Sequence, residues 1–384
     1  MTELRFTGGA VVVGAEVWPG VALSIEGGRI AAMAPLEAGA ETGAGRGIDL
    51  NGGWLMPGFI DTQVNGGGGV LFNDETSVEG IRAIAEAHAR YGTTALLPTL
   101  ISDGPDRVAA AMAASDAAIA AGVPGVVGVH IEGPALNPAR KGIHDPARFR
   151  SMDRELIDIL VRPHRGTVMV TLAPECASPQ AIAELVAAGV RVSAGHSEAT
   201  YDEAVAAFDA GLSGITHLFN AMPAMRQRDP GLAGAALDDP RPWCGLIVDG
   251  VHVAPAVLRV ALRARPAERM MLVTDAMSSV GAKDKNFVLQ GRAIAVRDGI
   301  CFDADGTLAG SDLDMAGAVR RTVRELELAP ARAAAMAATY PAAFLGQEDE
   351  RGTIGAGLKA DLVQLDADFG PVTTWIGGEA VFGR

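Results

Sequence analysis

The sequence predicts an α/β fold, a (β/α)8 TIM barrel carrying a small β-sandwich domain built from both termini. Three observations predict it. Eight short apolar runs recur through the middle of the chain, and alanine-rich stretches of helical character separate most of them. Those runs are apolar on both faces, which marks parallel strands covered by helices. The two ends of the chain share a different, hairpin-rich character. A doubly wound open sheet is the alternative arrangement of the same alternation.

Taken in order, residues 1 to 54 read as short strands, with VALSIEGGRIAAM folding back at Gly27-Gly28. The eight barrel runs are then GFIDTQVN (58–65), TTALLPTLI (93–101), GVVGVHIEG (125–133), VMVTLAPE (168–175), RVSAGH (191–196), GITHLFNAM (214–222), CGLIVDGVHV (244–253) and MMLVTDAM (270–277). VEGIRAIAEAHARYG and DEAVAAFDAG are among the helical stretches between them. ADLVQLD and VTTWIGGEAVFG return to strand character, with a turn at Gly377-Gly378. The expected division is residues 1–54 plus 355–384 for the β domain and 55–354 for the barrel.

Composition narrows the function classes. With 384 residues, 49% of them hydrophobic, the chain can bury a large core. A net charge of −14 argues against general binding to nucleic acid or anionic membranes, which need basic surfaces. A single phosphate held by an arginine remains compatible. Cys176, Cys244 and Cys301 form no CxxC pair, so neither a disulfide framework nor a cysteine-type zinc site is suggested, and a reducing cytoplasm is expected. MTELRFTGGAVVVG lacks the long apolar core of a secretory leader. No run approaches the ~20 apolar residues of a membrane span.

Barrel chemistry sits at the C-terminal ends of strands. There the sequence offers Asp61, Gln63 and Asn65; Thr99; His130 and Glu132; Glu175; His196; His217 and Asn220; Asp249 and His252; and Asp275. A hydrolytic divalent ion takes about three protein ligands and keeps one position open. Glu132, His196 and His217 supply a zinc-like set, which also suits iron, cobalt or manganese. A buried histidine alone is more often a packed core residue; convergence at successive strand ends favours ligation. Gln63 and Asn65 are neutral amides, poor zinc ligands suited to hydrogen-bonding. Asp275 is placed to move a proton beside a metal-activated water, or simply to cap a helix.

Two irregular stretches frame these ends. HIEGPALNPARKGIHDPARF is shaped by Pro134, Pro138, Gly142 and Pro146 and carries His144. NAMPAMRQRDPGLAGAAL follows His217 and carries Arg226 and Arg228, either of which suits an anion or solvent. Glycines 66–69 and TLAGS (307–311) would let backbone approach a ligand, with Ser311 or Asp312 starting a helix. His130 reads as a neighbour of the ligand set; His88 and His164 read as surface or packing residues.

Through PGFIDTQVNGGGG, HIEGPALNPARKGIH, AGHSEATYDEA, GITHLFNAMPAM, DPGLAGAAL, VDGVHV, LVTDAM and TLAGSDLDM, residues 57 to 315 resemble the N-acetylglucosamine-6-phosphate deacetylases of the amidohydrolase superfamily. The resemblance implies hydrolysis of the substrate acetamide to glucosamine 6-phosphate and acetate. It implies one divalent metal, zinc first, on Glu132, His196 and His217, with Asp275 as acid and base. It implies substrate contacts at Ile143, His144, Asn220, Ala221, Arg228, Asp249, His252, Leu308, Ala309 and Gly310. Ile143 is a departure that would contribute only backbone. Gln63 and Asn65 resemble the single-metal branch, where a second ion's His-x-His pair is absent. A homodimer whose neighbour helps complete the sugar-phosphate site is also implied. AMSSVGAKDKNF, after Asp275, reads as a charged, mobile loop. The alternatives are a deacylase for another N-acyl compound or an unphosphorylated N-acetyl sugar, and a non-catalytic barrel.

Overall fold

The computed structural model describes residues 2–36 and 45–383; the remaining parts of the terminal segments lie outside the described residues. Eight parallel strands form one sheet in sequential order: β1 (Phe59–Val64), β2 (Thr93–Ile101), β3 (Gly128–Glu132), β4 (Thr167–Leu172), β5 (Arg191–Ala194), β6 (Gly214–Ile215), β7 (Trp243–Leu246) and β8 (Met270–Leu272). Helices pack outside: α1 (Val78–Ala89), α2 (Pro105–Ala120), α3 (Arg154–Leu160), α4 (Pro179–Ala187), α5 (Tyr201–Asp209), α6 (Gly231–Asp238), α7 (Pro255–Ala264) and α8 (Met315–Glu325). This is the (β/α)8 barrel expected. Side-chain caps fix several helix starts: Ser77, Asp153 and Ser178 accept backbone N–H bonds, and Thr200 with Glu203 forms a reciprocal capping box.

Most strands stop earlier than the apolar runs do, for a backbone reason. His196, His217 and Asp275 have φ of 49°, 34° and 53°, which ends extended pairing just beyond β5, β6 and β8. The end of β1 and the segment just beyond β8 meet through a parallel bridge between Val64 and Ala276. Asp275 N–H donates to Gln63 O (3.1 Å) and Asn65 N–H to Ala276 O (2.9 Å). Below them, the Asp61 carboxylate accepts from Thr274 Oγ1 (2.5 Å) and Thr274 N (3.3 Å).

Asp61 is fully buried, and that burial pushes its carboxyl up from 3.8 to about 7. A folded-state pKa above the unfolded value means the native protein holds the proton longer. Stability therefore falls as pH rises from about 4 to about 7, and the loss is complete above that window. Asp61→Asn is expected to flatten this slope; thermal midpoints measured at both ends of the window for both proteins check it, and parallel slopes would remove Asp61 as the cause.

The terminal segments form two further sheets. One pairs Arg29–Pro35, Val21–Glu26, Thr2–Thr7 and Arg46–Asp49; the other runs Glu379–Gly383, Pro371–Ile376, Leu362–Leu365, Trp54–Pro57, Ala10–Val13, Glu16–Trp18. The second therefore joins both ends of the chain. Phe6 and Trp375 meet edge to face, 5.5 Å apart, in the apolar cluster between the sheets. Gly27-Gly28 and Gly377-Gly378 are hairpin turns with positive φ throughout.

One region departs from expectation. An antiparallel sheet, Phe287–Leu289, Arg292–Arg297, Ile300–Phe302 and Leu308–Ser311, stands between β8 and α8. TLAGS is thus the last strand of that sheet and not a helix start; α8 begins at Met315, capped by Asp314. Residues 276–280 of the charged stretch before it are buried, and Lys285 ties the remainder to Ser279 O and Asp312. Leu289, Ile294, Cys301 and Ala309 of the sheet pack with Ile143, which accounts for an apolar side chain at that position.

Candidate metal centre and active site

Glu132 ends β3, and His196 and His217 follow β5 and β6, so three strand ends on one side of the barrel aim at one point. Their ligand atoms all lie within 4.8 Å of one another. His217 Nε2 stands 3.1 Å from Glu132 Oε1 and 3.0 Å from His196 Nε2; His196 Nε2 stands 3.4 Å from Glu132 Oε1. All three residues are buried. His196 Nδ1 donates to Arg140 O at 2.8 Å, which orients the ring with Nε2 toward the cluster. Two imidazole nitrogens and a carboxylate converging in a buried site fit a divalent ion of the zinc, iron, cobalt or manganese kind. Burial alone would raise the Glu132 carboxyl; hydrogen bonds from the two histidines outweigh it and hold the group well below the usual range. A bound cation would serve the same end.

Asp275 lies beside this cluster. Burial pushes its carboxyl up to about 6, and the charge of Glu132 adds to the shift. Asn65 Nδ2 donates to Asp275 Oδ1 at 2.7 Å, and Gln63 Nε2 donates to the same oxygen at 3.1 Å and to Glu132 Oε1 at 3.0 Å. The two amides therefore bond the carboxylates directly. Gln63 links a ligand position to the proposed proton carrier, and both amides leave Asp275 Oδ2 free of donors from their side chains.

A cavity of about 370 Å³ opens above. Of the residues expected at the site, Asn65, Glu132, Ile143, His144, His196, His217, Asn220, Ala221, His252, Asp275, Leu308 and Gly310 line it. Gln63, Asp249, Ala309 and Arg228 do not. Asp249 instead stands behind His252, accepting from its Nδ1 at 2.6 Å and from the Val251 and His252 backbone. Ala309 is buried within the added sheet, and Arg228 is exposed on its loop. His144 is buried, its Nδ1 2.8 Å from Ser102 Oγ, and burial with the nearby His196 charge pushes it down to about 3, so the ring is neutral. His130 contacts Thr99 and Thr171, not a ligand, within a hydroxyl chain that continues to Thr216 and Ser193. His88 is fully buried, bonded to Gly66 O at 2.9 Å; His164 is partly exposed near the opposite end of the barrel.

Sequence reasoning missed the brace around His196. Glu175 accepts from Asn137 Nδ2 (2.9 Å), Ser197 Oγ (2.7 Å) and Glu198 N (2.6 Å), while Asn137 N–H donates to His196 O (2.9 Å). This ties the loop after β3 to the turn that carries His196 in left-handed backbone. Asn137 and Ser102 gave no signal because their partners lie about 40 to 60 positions away in the chain. Glu175→Gln is expected to weaken metal affinity about 10- to 100-fold, as measured by chelator competition. Unchanged affinity would show that the ligand turn holds itself.

The amidohydrolase family profile matches residues 54–381. The chain is 44% identical to an N-acetylgalactosamine-6-phosphate deacetylase of Shewanella sp., over 87% of this chain and 84% of that one. It is 35% identical to an N-acetylglucosamine-6-phosphate deacetylase of Haemophilus influenzae, over 93% and 94%. A solved Mycobacterium smegmatis N-acetylglucosamine-6-phosphate deacetylase, an aspartate-to-alanine variant in complex with N-acetylglucosamine 6-phosphate, superposes with a TM-score of 0.89 at 35% identity, covering 99% of this chain and all of that one. With the barrel, the strand-end Glu-His-His cluster and a family match over most of its length, the chain belongs to the amidohydrolase family.

Proposed function

We propose that this protein hydrolyses the acetamide of N-acetylglucosamine 6-phosphate, releasing acetate and glucosamine 6-phosphate. The observation that carries the reading is the convergence of Glu132, His196 and His217 beside Asp275 on one cavity. The deacetylases at 35% identity over nearly the whole chain supply the substrate class.

Glu132, His196 and His217 would hold one divalent ion, zinc in the first instance. Such an ion supplies Lewis-acid chemistry, polarising an amide carbonyl and lowering the pKa of bound water. Asp275 accepts the proton of the attacking water and returns it to the departing amine. His252, its Nδ1 proton held by Asp249, and neutral His144, oriented by Ser102, line the cavity beside the cluster and position the acetamide there. Asn220, Ala221, Leu308 and Gly310 line the space for the sugar. Arg140 is the one guanidinium on the cavity wall among the described residues.

A homodimer forms part of the reading. Its support is the resemblance together with the position of Arg228, exposed and outside its own chain's cavity, where it could reach a neighbour's 6-phosphate. Three unpaired cysteines suit a reducing cytoplasm.

Acetate release from N-acetylglucosamine 6-phosphate, run beside the unphosphorylated sugar, tests the reading. The phosphorylated sugar is expected to be preferred, and Arg228→Ala to lower its kcat/KM by about 10- to 100-fold, the worth of a charged hydrogen bond. Equal use of both sugars would discard the phosphate hold, and no release from metal-replete protein would discard the reading. The 44% identity to a galactosamine-type relative favours one second reading, the C4 epimer as substrate. Running both epimers decides between them.

A further inference from the structure

The end of the barrel opposite the metal centre carries a second cavity, of about 860 Å³, beneath the starts of β4 and β5. Its wall holds Arg162, Arg165, Arg191, Arg351 and Lys359 against one carboxylate, Glu350. That balance runs against a protein of net charge −14. Some of these cations are paired: Arg165 with Asp116, Arg351 with Asp361 (3.2 Å) and Lys359 with Glu350 (3.7 Å), which also pairs with Arg29 (2.6 Å). Arg162 and Arg191 have no carboxylate partner among the described residues.

Unmet hydrogen-bonding capacity collects here as well. Arg191 Nε, Arg351 Nε and His164 Nε2 are buried without a partner, and Arg351 is only 7% exposed. Arg191 lies against Gly346, where an added Cβ would come within 2.8 Å of its Nη2, so the guanidinium rests against backbone. A half-buried guanidinium with no counter-charge favours an anion, because weak hydration and a planar donor fork suit phosphate oxygens.

We propose that this cavity binds a phosphate-bearing small anion, held chiefly by Arg162 and Arg191. The site is separate from the catalytic cavity and does not depend on the substrate assigned there.

Hydrogen–deuterium exchange on the full, metal-replete protein, with and without inorganic phosphate, tests it. Phosphate is expected to slow exchange over residues 161–168 and 188–191, with less effect at high salt. Arg162→Ser, at an exposed position, is expected to weaken that protection about fivefold or more while acetate release stays unchanged. Arg191→Lys, which keeps the charge and loses the fork, provides a second reading if larger changes perturb folding. Glucose 6-phosphate as a parallel probe separates the sources: tighter protection points to a sugar phosphate, equal protection to the inorganic ion. No protection with either probe, or equal protection in Arg162→Ser, would overturn the proposal and leave a solvated basic rim.

Discussion

Asp275→Asn is expected to keep its metal and lose turnover by about 10²- to 10⁴-fold, the usual worth of a positioned acid–base group. The change is nearly isosteric, and the three ligand residues are untouched. Its effect is chemical. An amide cannot accept the proton of water or return one to a leaving amine. Gln63 and Asn65 already aim N–H groups at Asp275 Oδ1, and an asparagine oxygen there can still accept both. The fold should therefore survive. Metal content and single-turnover acetate release, measured on the same preparation, separate the two effects. A variant retaining more than about a tenth of wild-type turnover would remove Asp275 from proton transfer.

Glu132→Gln is expected to abolish stoichiometric metal and activity together. The carboxylate supplies the negative member of the donor set, and a neutral amide is a poor ligand for the same ions. A ligand-linked shift in stability reads this without catalysis. Metal at a thousandfold excess over its Kd adds about 4 kcal/mol to the stability of a protein that binds it only when folded. The wild type should show a metal-dependent rise in Tm and the variant none. An equal rise in both would place the ion elsewhere.

Much of this was legible in the sequence, because strand and barrel patterns are local while their consequences are not. The apolar runs located all eight barrel strands, and strand β2 matches its run residue for residue. The runs overshot at the strand ends that carry chemistry, since apolarity continues past His217 although extended geometry stops there. The added sheet over residues 287–311 was missed despite a hairpin signal at Asp298-Gly299, because the whole of 55–354 was assigned to the barrel and only AMSSVGAKDKNF before the sheet was read, as a loop. At the site, Glu132, His196, His217 and Asp275 were readable as polar residues ending apolar strands. The roles of Gln63 and Asn65 were not, because a hydrogen bond to Asp275 spans about 210 positions of sequence.

The left-handed backbone at His196, His217 and Asp275 bears on how this protein would respond to directed evolution for heat tolerance. Each such residue stores about 1–3 kcal/mol of conformational strain that glycine would relieve. A library selected only for folded yield, without metal or substrate, would be drawn toward glycine at those three positions. The survivors would be hardier and inert. Selecting in the presence of metal should reverse that drift at the two histidines, because bound ion rewards the imidazoles, while Asp275 would still need selection on turnover.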